Sequence, residues 1–396
     1  MPRPRAHLRR AFAVLLAGTL ATACSALPGR DAAPLFERVT LAKPGDNGVH
    51  TYRIPALAVA KDGTLLASYD ARLDAAHDLP GKIDILLRRS RDDGRTWSAP
   101  QTVVRHTEGA GAGAGDSSLL VDRDTGRVFL FHAWAPRGVG FPNAQAGNAV
   151  DSTTTLHPRY VWSDDDGATW QGPRDLIAAI KRPDWKGMFA TSGHGIQLFD
   201  DHSARGRLIQ PYVFRGSDNL VHAVNAYSGD HGTSWHIGAP LGGRLDENKV
   251  VELADGTVMQ NSRSSDPKVH ARMVALSRDG GIHFGPTEPD PQLPDPHNNG
   301  DLIRVAPLAA TDRPESHWLL FSNTADPTER RTLTVRMSCD DGRDWNAGRV
   351  VDPGDAMYSV MARLPDGSFG IFWEDGDGNL SYARFNLAWL GHPCRS

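Results

Sequence analysis

Residues 90–97 read SRDDGRTW, and close variants of this octapeptide recur four more times along the chain. The further copies begin at Ser163, Ser228, Ser277 and Ser338. In such a turn the aspartate accepts hydrogen bonds from backbone N–H groups, the glycine supplies a positive φ, and the aromatic residue packs back between sheets. Copies that start 49 to 73 residues apart are typical of β-propeller blades with loops of variable length. The motif therefore predicts an all-β propeller, and we assign it no catalytic role.

The chain between these copies is strand-like. Short apolar runs such as residues 64–69, 83–88 and 128–134 follow or precede turn signals, and no α/β alternation is present. Residues 175–181 predict one or two helical turns. The Gly/Ala-rich residues 108–115 lack the strand–helix context of a nucleotide-binding loop and predict a flexible loop.

Composition narrows the class of function. The chain has 396 residues, 40% of them hydrophobic and 23% charged, with a net charge of −4, as in a soluble globular protein. A protein that mainly binds nucleic acid needs a basic excess to neutralise phosphates, and this chain has none. The composition still allows a local cationic pocket for a small anion.

The N-terminus is expected to be a targeting segment. Four arginines lie within the first ten residues, an apolar run follows at 11–20, and residues 21–23 form an A-x-A cleavage site. The apolar run is too short to span a bilayer. We therefore expect a signal peptide and linker at 1–30, a catalytic domain at 31–396, and a secreted protein. Cys24 follows the cleavage site, but Leu20 lies one residue too far upstream for a good lipobox, so a lipid anchor at Cys24 stays an open alternative.

Cys339 and Cys394 remain after removal of the signal. In an exported protein two cysteines can pair, and a bridge between them would tie the C-terminal tail to the body, although two buried thiols are the alternative. No C-x-x-C or His/Cys cluster is present, so we expect no metal site.

Several further motifs occur together. They are YRIPAL at 52–57, YDAR at 69–72, DENK at 246–249, NSR at 261–263, DPHNN at 295–299 and RMSCDDG at 336–342. From about Phe36 to Cys394 the chain resembles bacterial retaining sialidases, especially secreted actinobacterial ones. The resemblance implies a six-bladed β-propeller and a monomeric exo-α-sialidase without a cofactor. Such a glycoside hydrolase removes terminal sialic acid from glycoconjugates.

The resemblance implies that Arg53, Arg263 and Arg336 bind the substrate carboxylate. Sialic acid carries this carboxylate on its anomeric carbon, and arginine binds a carboxylate as a planar fork that stays charged. In the strand-like residues 333–336, Leu333 and Val335 point to one face and Arg336 to the other.

The resemblance also implies a tyrosine nucleophile, Tyr358, with Glu247 as the base that takes its proton. An anionic nucleophile would be repelled by the substrate carboxylate, whereas a neutral hydroxyl is not, and sialidases are exceptions to the two-carboxylate rule of glycosidases. A free tyrosine has a pKa of about 10, so it needs a base.

The acid/base of the resembled family is an aspartate shortly before a Pro-Gly pair, which here is Asp78. It would protonate the leaving oxygen and then activate water. Asp74 is the rival position, because this loop is one residue longer than the usual pattern.

The remaining matched positions would support the site. Glu374 would orient Arg53 through a charge-assisted pair. Arg72 and Asp116 match residues that line the pocket near the acid/base, and Asp246 and Asn298 match residues that can hydrogen-bond sugar hydroxyls.

Two alternatives stay open for the function. His77 stands where an apolar residue is usual and Val221 where an aromatic wall is plausible, so the substrate could be the deaminated sugar KDN, or the enzyme could transfer sialic acid. The alternative of another class is a non-catalytic glycan-binding propeller. The full set of arginines with Tyr358, Glu247 and Asp78 favours the enzyme, since a binding module could lose the nucleophile and its base.

Overall fold

The computed structural model describes residues 1, 32–107, 111–199, 204–391 and 394. The predicted signal peptide and Cys24 lie outside the described residues. The described fold is all-β, with two α-helices of one turn, α1 (Ile177–Ile180) and α2 (Leu387–Leu390), and two short 3-10 helices at Asp46–Gly48 and Pro314–His317. The strands are β1 (Phe36–Ala42), β2 (Thr51–Val59), β3 (Leu65–Arg72), β4 (Ile83–Ser90), β5 (Gln101–Val104), β6 (Gly111–Val121), β7 (Val128–Pro136), β8 (His157–Ser163), β9 (Gln171–Asp175), β10 (Met188–Ala190), β11 (Gly193–His194), β12 (Ile196–Gln197), β13 (Leu208–Arg215), β14 (Val221–Ser228), β15 (His236–Ile237), β16 (Leu245–Glu252), β17 (Val258–Ser264), β18 (Ala271–Ser277), β19 (Glu288–Pro294), β20 (Asp301–Arg304), β21 (Leu319–Thr324), β22 (Arg331–Ser338), β23 (Arg349–Arg363), β24 (Phe369–Asp375) and β25 (Leu380–Phe385).

The strands form five sheets, each built mainly from neighbours in sequence. Their orders are β2-β3-β4-β5, β11-β6-β7-β8-β9, β10-β13-β14-β15 with β12 beside β13, β16-β17-β18-β19, and β1-β25-β24-β23-β22-β21-β20. All pairs are antiparallel except β11 with β6. Antiparallel neighbours joined by short turns explain the repeating turn motif, because each copy closes one hairpin.

The seven-stranded sheet changes partners along β23. Between Arg349 and Asp355 this strand pairs with β22, and from Ala356 to Arg363 it pairs with β24. The same sheet joins the two ends of the fold, since β1 pairs with β25 from Phe36 opposite Phe385 onward.

The octapeptide turns have the geometry expected of a structural clip. In the second copy, the Ser163 hydroxyl donates to Asp165 Oδ1 (2.7 Å) and accepts from the Gly167 N–H (2.9 Å). Asp165 also accepts from the backbone N–H of Thr169 (2.8 Å) and from its hydroxyl (2.6 Å). Gly167 has φ of 78°, which favours glycine. The clip is therefore held by side chains within the turn itself.

Each clip glycine also contacts a strand of another sheet, so little room remains for a side chain there. The contacts are Gly94 on Tyr382, Gly167 on Leu66, Gly232 on Phe129, Gly281 on Ile209 and Gly342 on Met259. Every copy thus rests on a neighbouring sheet, and the motif serves packing between sheets as well as turning the chain.

Removing one clip carboxylate should make stability less sensitive to acid. Thr169, through its hydroxyl and its backbone N–H, lowers the pKa of Asp165 to about 2, against about 3.9 in an unfolded chain. Because the folded pKa is depressed, this stabilisation is present above about pH 4 and is lost as the pH falls towards 2. Asp165→Asn should lower the free energy of unfolding by about 1 kcal/mol at pH 7, and the difference from wild type should shrink on acidification.

Urea denaturation at intervals from pH 7 to 2.5 checks this expectation. Asp151→Asn, at an exposed position outside the clips, serves as the control and should leave stability unchanged. A deficit of the Asp165 variant that stays constant with pH would contradict it.

Two sequence predictions are confirmed here and one is wrong. Cys339 and Cys394 form a disulfide, and α1 lies within residues 175–181. The flexible loop predicted at 108–115 is instead strand from Gly111 onward. Gly113 lies directly against the Gly81 carbonyl, so the small residues allow a close approach of two chain segments.

No helix among the described residues is long enough to cross a bilayer.

Candidate active site

A cavity of about 420 Å³ brings together seven of the eleven residues predicted for the site; we call it the main cavity. It lies where the first strands of several sheets and their loops meet. The seven residues are Arg53 on β2, Asp78 in the β3–β4 loop, Asp116 on β6, Asp246 and Glu247 on β16, Arg263 on β17 and Tyr358 on β23. The other four, Arg72, Asn298, Arg336 and Glu374, do not line it.

Tyr358 and Glu247 meet at one guanidinium nitrogen. Arg263 Nη1 donates to Glu247 Oε2 (2.9 Å) and to Tyr358 Oη (3.2 Å). The exposed fraction is 3% for Glu247 and 9% for Tyr358. A phenol and a carboxylate held this way, with little water, form a nucleophile and a base of the general activated type.

Burial and the charge of Glu247 raise the pKa of Tyr358 well above its usual value. Arg263, Arg53 and Arg330 act in the opposite direction. Burial likewise raises the pKa of Glu247, against the charge of Arg263. The resting site therefore holds a neutral tyrosine, and a base with raised pKa is better matched to taking its proton.

A buried lysine lies beneath this pair. Lys249 Nζ donates to the Ser192 carbonyl (2.6 Å) and to Asn299 Oδ1 (2.9 Å). Burial lowers the pKa of Lys249 to about 8, and its charge in turn lowers the pKa of Glu247.

Arg53 is fixed by Glu374, as the sequence suggested. Its Nε donates to Glu374 Oε2 (2.8 Å), and the backbone N–H of Ile54 donates to Oε1 (2.8 Å). Ile54 has φ of 63°, a costly conformation for a β-branched residue. The strained backbone and the carboxylate together aim the Arg53 guanidinium over the Tyr358 ring, 5.5 Å from its centroid.

The third guanidinium of the main cavity is Arg330, not Arg336. Arg330 lines the cavity and lies 5.8 Å from the centroid of the Tyr358 ring, and its Nη2 donates to the His297 carbonyl (2.8 Å). Arg336 is buried elsewhere, where it donates to Asn323 Oδ1 (3.2 Å) and interacts electrostatically with Asp290. The alternation of residues in β22 predicted which face of the strand carries Arg336. It did not predict which end of β22 lies at the main cavity.

Asp78 stands at the mouth of the main cavity, with its side chain 77% exposed. Arg72 is almost fully buried and holds the loop from below, with Nη2 on Asp78 Oδ1 (2.5 Å) and Nη1 on the Ala76 carbonyl (2.6 Å). Arg72 thus positions Asp78 and does not itself face the cavity. The rival Asp74 pairs with Lys82 at the surface (2.8 Å).

Asp116 and Asp246 line the main cavity beside these groups. Asp116 has φ of 59°, and burial, with Asp70 nearby, raises its pKa well above the usual value. Asp246 accepts from the Glu247 N–H (2.8 Å) and lies 3.7 Å from Arg263 Nε. Asp246 therefore fixes both the base and an arginine.

Asn298 cannot bind a sugar hydroxyl in this arrangement. It is fully buried, and its Nδ2 donates to the Thr324 hydroxyl (3.0 Å) and to the Met357 carbonyl (2.9 Å). Since Met357 precedes Tyr358, Asn298 positions the strand that carries the nucleophile.

An apolar wall closes one side of the main cavity. It consists of Leu79, Phe141, Pro142, Leu156 and Phe189. His77 also lines the cavity, whereas Val221 does not, so the expectation that Val221 reshapes this pocket is wrong. Phe141, Pro142 and Leu156 come from the β7–β8 segment and Phe189 from β10, neither of which the sequence motifs indicated, whereas Leu79 follows Asp78 in the β3–β4 loop.

The described part of the chain holds one group of residues that could ligate a metal, formed by Asp122, Asp124 and His231. None of the three lines the main cavity.

Comparison with known proteins identifies relatives of this chain. Residues 60–371 match the family model of the BNR repeat-like domain. The chain is 44% identical to the sialidase of Micromonospora viridifaciens, over 98% of this chain and 61% of that protein. It is 30% identical to the exo-alpha-sialidase of Aspergillus fumigatus, over 92% of each. Among solved structures it is similar to the Hadza microbial sialidase Hz136, with a TM-score of 0.80 and 29% identity, covering 89% of this chain and 69% of that one.

Proposed function

Because this chain belongs to the sialidase family, we propose that it is a retaining exo-α-sialidase that hydrolyses terminal sialic acids. The observation that carries the proposal is the meeting of Tyr358 and Glu247 at Arg263, in one cavity with Arg53, Arg330 and Asp78. Three guanidiniums around a phenol suit an anionic sugar whose carboxylate sits on the carbon to be attacked.

The substrate carboxylate would lie among Arg53, Arg263 and Arg330. Tyr358 Oη then attacks the anomeric carbon while Glu247 takes the phenol proton. Asp78, reached from solvent at the mouth of the main cavity, protonates the leaving oxygen. In the second step Asp78 takes a proton from water, the water oxygen attacks the same carbon, and the Tyr358–sugar bond breaks with return of the proton from Glu247.

A neutral nucleophile suits this cavity on electrostatic grounds. An ionised Tyr358 would face both Glu247 and the substrate carboxylate, and the raised pKa of Tyr358 keeps it protonated until a base acts. The three guanidiniums stabilise the negative charge that develops on the oxygen during attack.

The architecture we propose is a six-bladed propeller. The supporting observation is the seven-stranded sheet, in which β23 pairs with β22 in its first half and β24 in its second. This sheet divides into two blades that share one strand, and the other four sheets supply one blade each. The contacts of the clip glycines run from sheet to sheet around this ring, including Gly94 on Tyr382 of β25.

We also propose that the protein is exported. The N-terminal arginines, apolar run and A-x-A site support this, as does the Cys339–Cys394 disulfide. Lipid attachment at Cys24 remains the alternative to release from the cell.

Two fluorogenic substrates test the proposed activity and its sugar. The apolar wall at Leu79, Phe141 and Phe189 favours the N-acetyl group of N-acetylneuraminic acid over the hydroxyl of KDN. We expect kcat/KM to be higher for the N-acetylneuraminic substrate by about fivefold, since burying one methyl group contributes about 1 kcal/mol. Release of fluorophore from neither substrate would remove the enzyme proposal and favour a glycan-binding propeller. A preference for the KDN substrate would reverse the choice of sugar.

A further inference from the structure

A second cavity adjoins the main one; we call it the side cavity. Its volume is about 480 Å³, and its lining includes Arg53, Arg330, Ala76, Glu329, Asp355 and Met357. Arg53 and Arg330 line both cavities. The two guanidiniums proposed to hold the substrate carboxylate are thus the shared wall.

This position suggests which part of the substrate occupies the side cavity. The anomeric carbon of a sialoside carries both the carboxylate and the glycosidic oxygen, so the leaving group begins two bonds from the carboxylate carbon. A space beside the carboxylate-binding guanidiniums is therefore also beside the leaving group. Ala76, in the loop that carries Asp78, lines the same space, which brings the side cavity next to the acid that protonates the leaving oxygen.

The side cavity carries an excess of negative charge. Four carboxylates line it, and two of these are neutralised, Glu374 by Arg53 (2.8 Å) and Asp375 by Arg38 (2.8 Å). Glu329 and Asp355 are exposed, and within the described part of the chain neither forms an ion pair. Arg331, the next cation after Arg330, forms its ion pair with Asp326 (2.7 Å) and interacts with Glu329 and Asp355 only electrostatically.

We propose that the side cavity binds the leaving sugar and that Glu329 and Asp355 select uncharged leaving sugars over anionic ones. This inference rests on the proposed sialidase activity. A leaving galactose meets these carboxylates without penalty and can hydrogen-bond to them. A leaving sialic acid, as in an α2,8-linked chain, brings a second carboxylate into a space with two unpaired negative charges and is repelled.

The test compares kcat/KM for α2,3-sialyllactose with kcat/KM for α2,8-linked disialic acid. In the Glu329→Gln/Asp355→Asn double variant, the ratio of kcat/KM for sialyllactose to kcat/KM for disialic acid should be about fivefold lower than in wild type at low salt. This size is expected for two exposed charges near a third. The change should come mainly from faster turnover of the disialic acid. In wild type, raising the NaCl concentration from 20 to 500 mM should weaken the discrimination.

A matched control separates local from global charge. Glu288→Gln/Asp344→Asn changes the net charge equally at exposed positions that line neither cavity, and it should keep the wild-type ratio. An unchanged ratio in the Glu329/Asp355 variant, or an equal shift in the control, would overturn the inference. Failure of wild type to hydrolyse either substrate would count against the proposed function itself.

Discussion

Tyr358→Phe is expected to lower kcat for hydrolysis of sialyllactose by about a thousandfold, since the variant lacks the oxygen that forms the covalent intermediate. Only the hydroxyl is removed, so Arg53 keeps its aromatic neighbour and the main cavity keeps its shape. Affinity for a 2,3-unsaturated sialic acid analogue should therefore stay within about threefold of wild type.

Two measurements check this expectation. Steady-state kinetics gives kcat, and proton NMR of the first-formed sugar shows whether the remaining turnover still retains the anomeric configuration. Tyr227→Phe is the matched control, because Tyr227 packs against His236 away from the main cavity, and it should turn over as wild type does. Undiminished retaining hydrolysis by the Tyr358 variant would remove Tyr358 from its role.

The second large effect distinguishes two arginines six residues apart. Arg330→Ala should weaken binding of the unsaturated sialic acid about 100-fold, or about 3 kcal/mol, as expected when one partner of a desolvated carboxylate–guanidinium contact is lost. Arg336→Ala should change this affinity by less than about threefold, because Arg336 bonds to Asn323 and faces Asp290 instead of the main cavity.

Isothermal titration calorimetry on both variants gives the comparison. Arg336 is buried, so Arg336→Met, which keeps most of the side-chain volume, provides a folded partner if the alanine variant is unstable. A reversed order, with Arg336 essential and Arg330 dispensable, would return the third position of the carboxylate site to Arg336.

The fold could be predicted from the sequence because each copy of the repeated turn motif depends on contacts within its own few residues. A clip such as residues 163–170 contains the hydroxyl, carboxylate and glycine that its own turn requires, so the pattern survives without knowledge of distant contacts. The disulfide could be predicted for a different reason, because Cys339 and Cys394 were the two cysteines left after the predicted signal. The prediction of a flexible loop at the Gly/Ala tract was wrong because its glycines are required by contacts with residues distant in sequence. Gly113 lies against Gly81, and Gly115 lies against Asp70.

The site residues that the sequence analysis misplaced depend on long-range geometry. Arg330 precedes β22 in a turn, where period-2 alternation gives no direction, and Thr332 with φ of 60° interrupts the register just after it. Asn298 lies in a motif of suitable type, but its burial under Met357 follows from the path of β23. Predicting the role of Arg330 would have required knowing that it lies beside Tyr358, and no local spacing in the sequence gives that information.

The pairing of β1 with β25 means that the last sheet is assembled from the two ends of the described chain. Until Phe385 has been synthesised and delivered, β24 presents an open edge and Phe36 to Ala42 have no partner. Such unpaired edges invite association with other chains. During the proposed export, with the N-terminus crossing first, this edge would stay unpaired until nearly all of the chain has crossed the membrane.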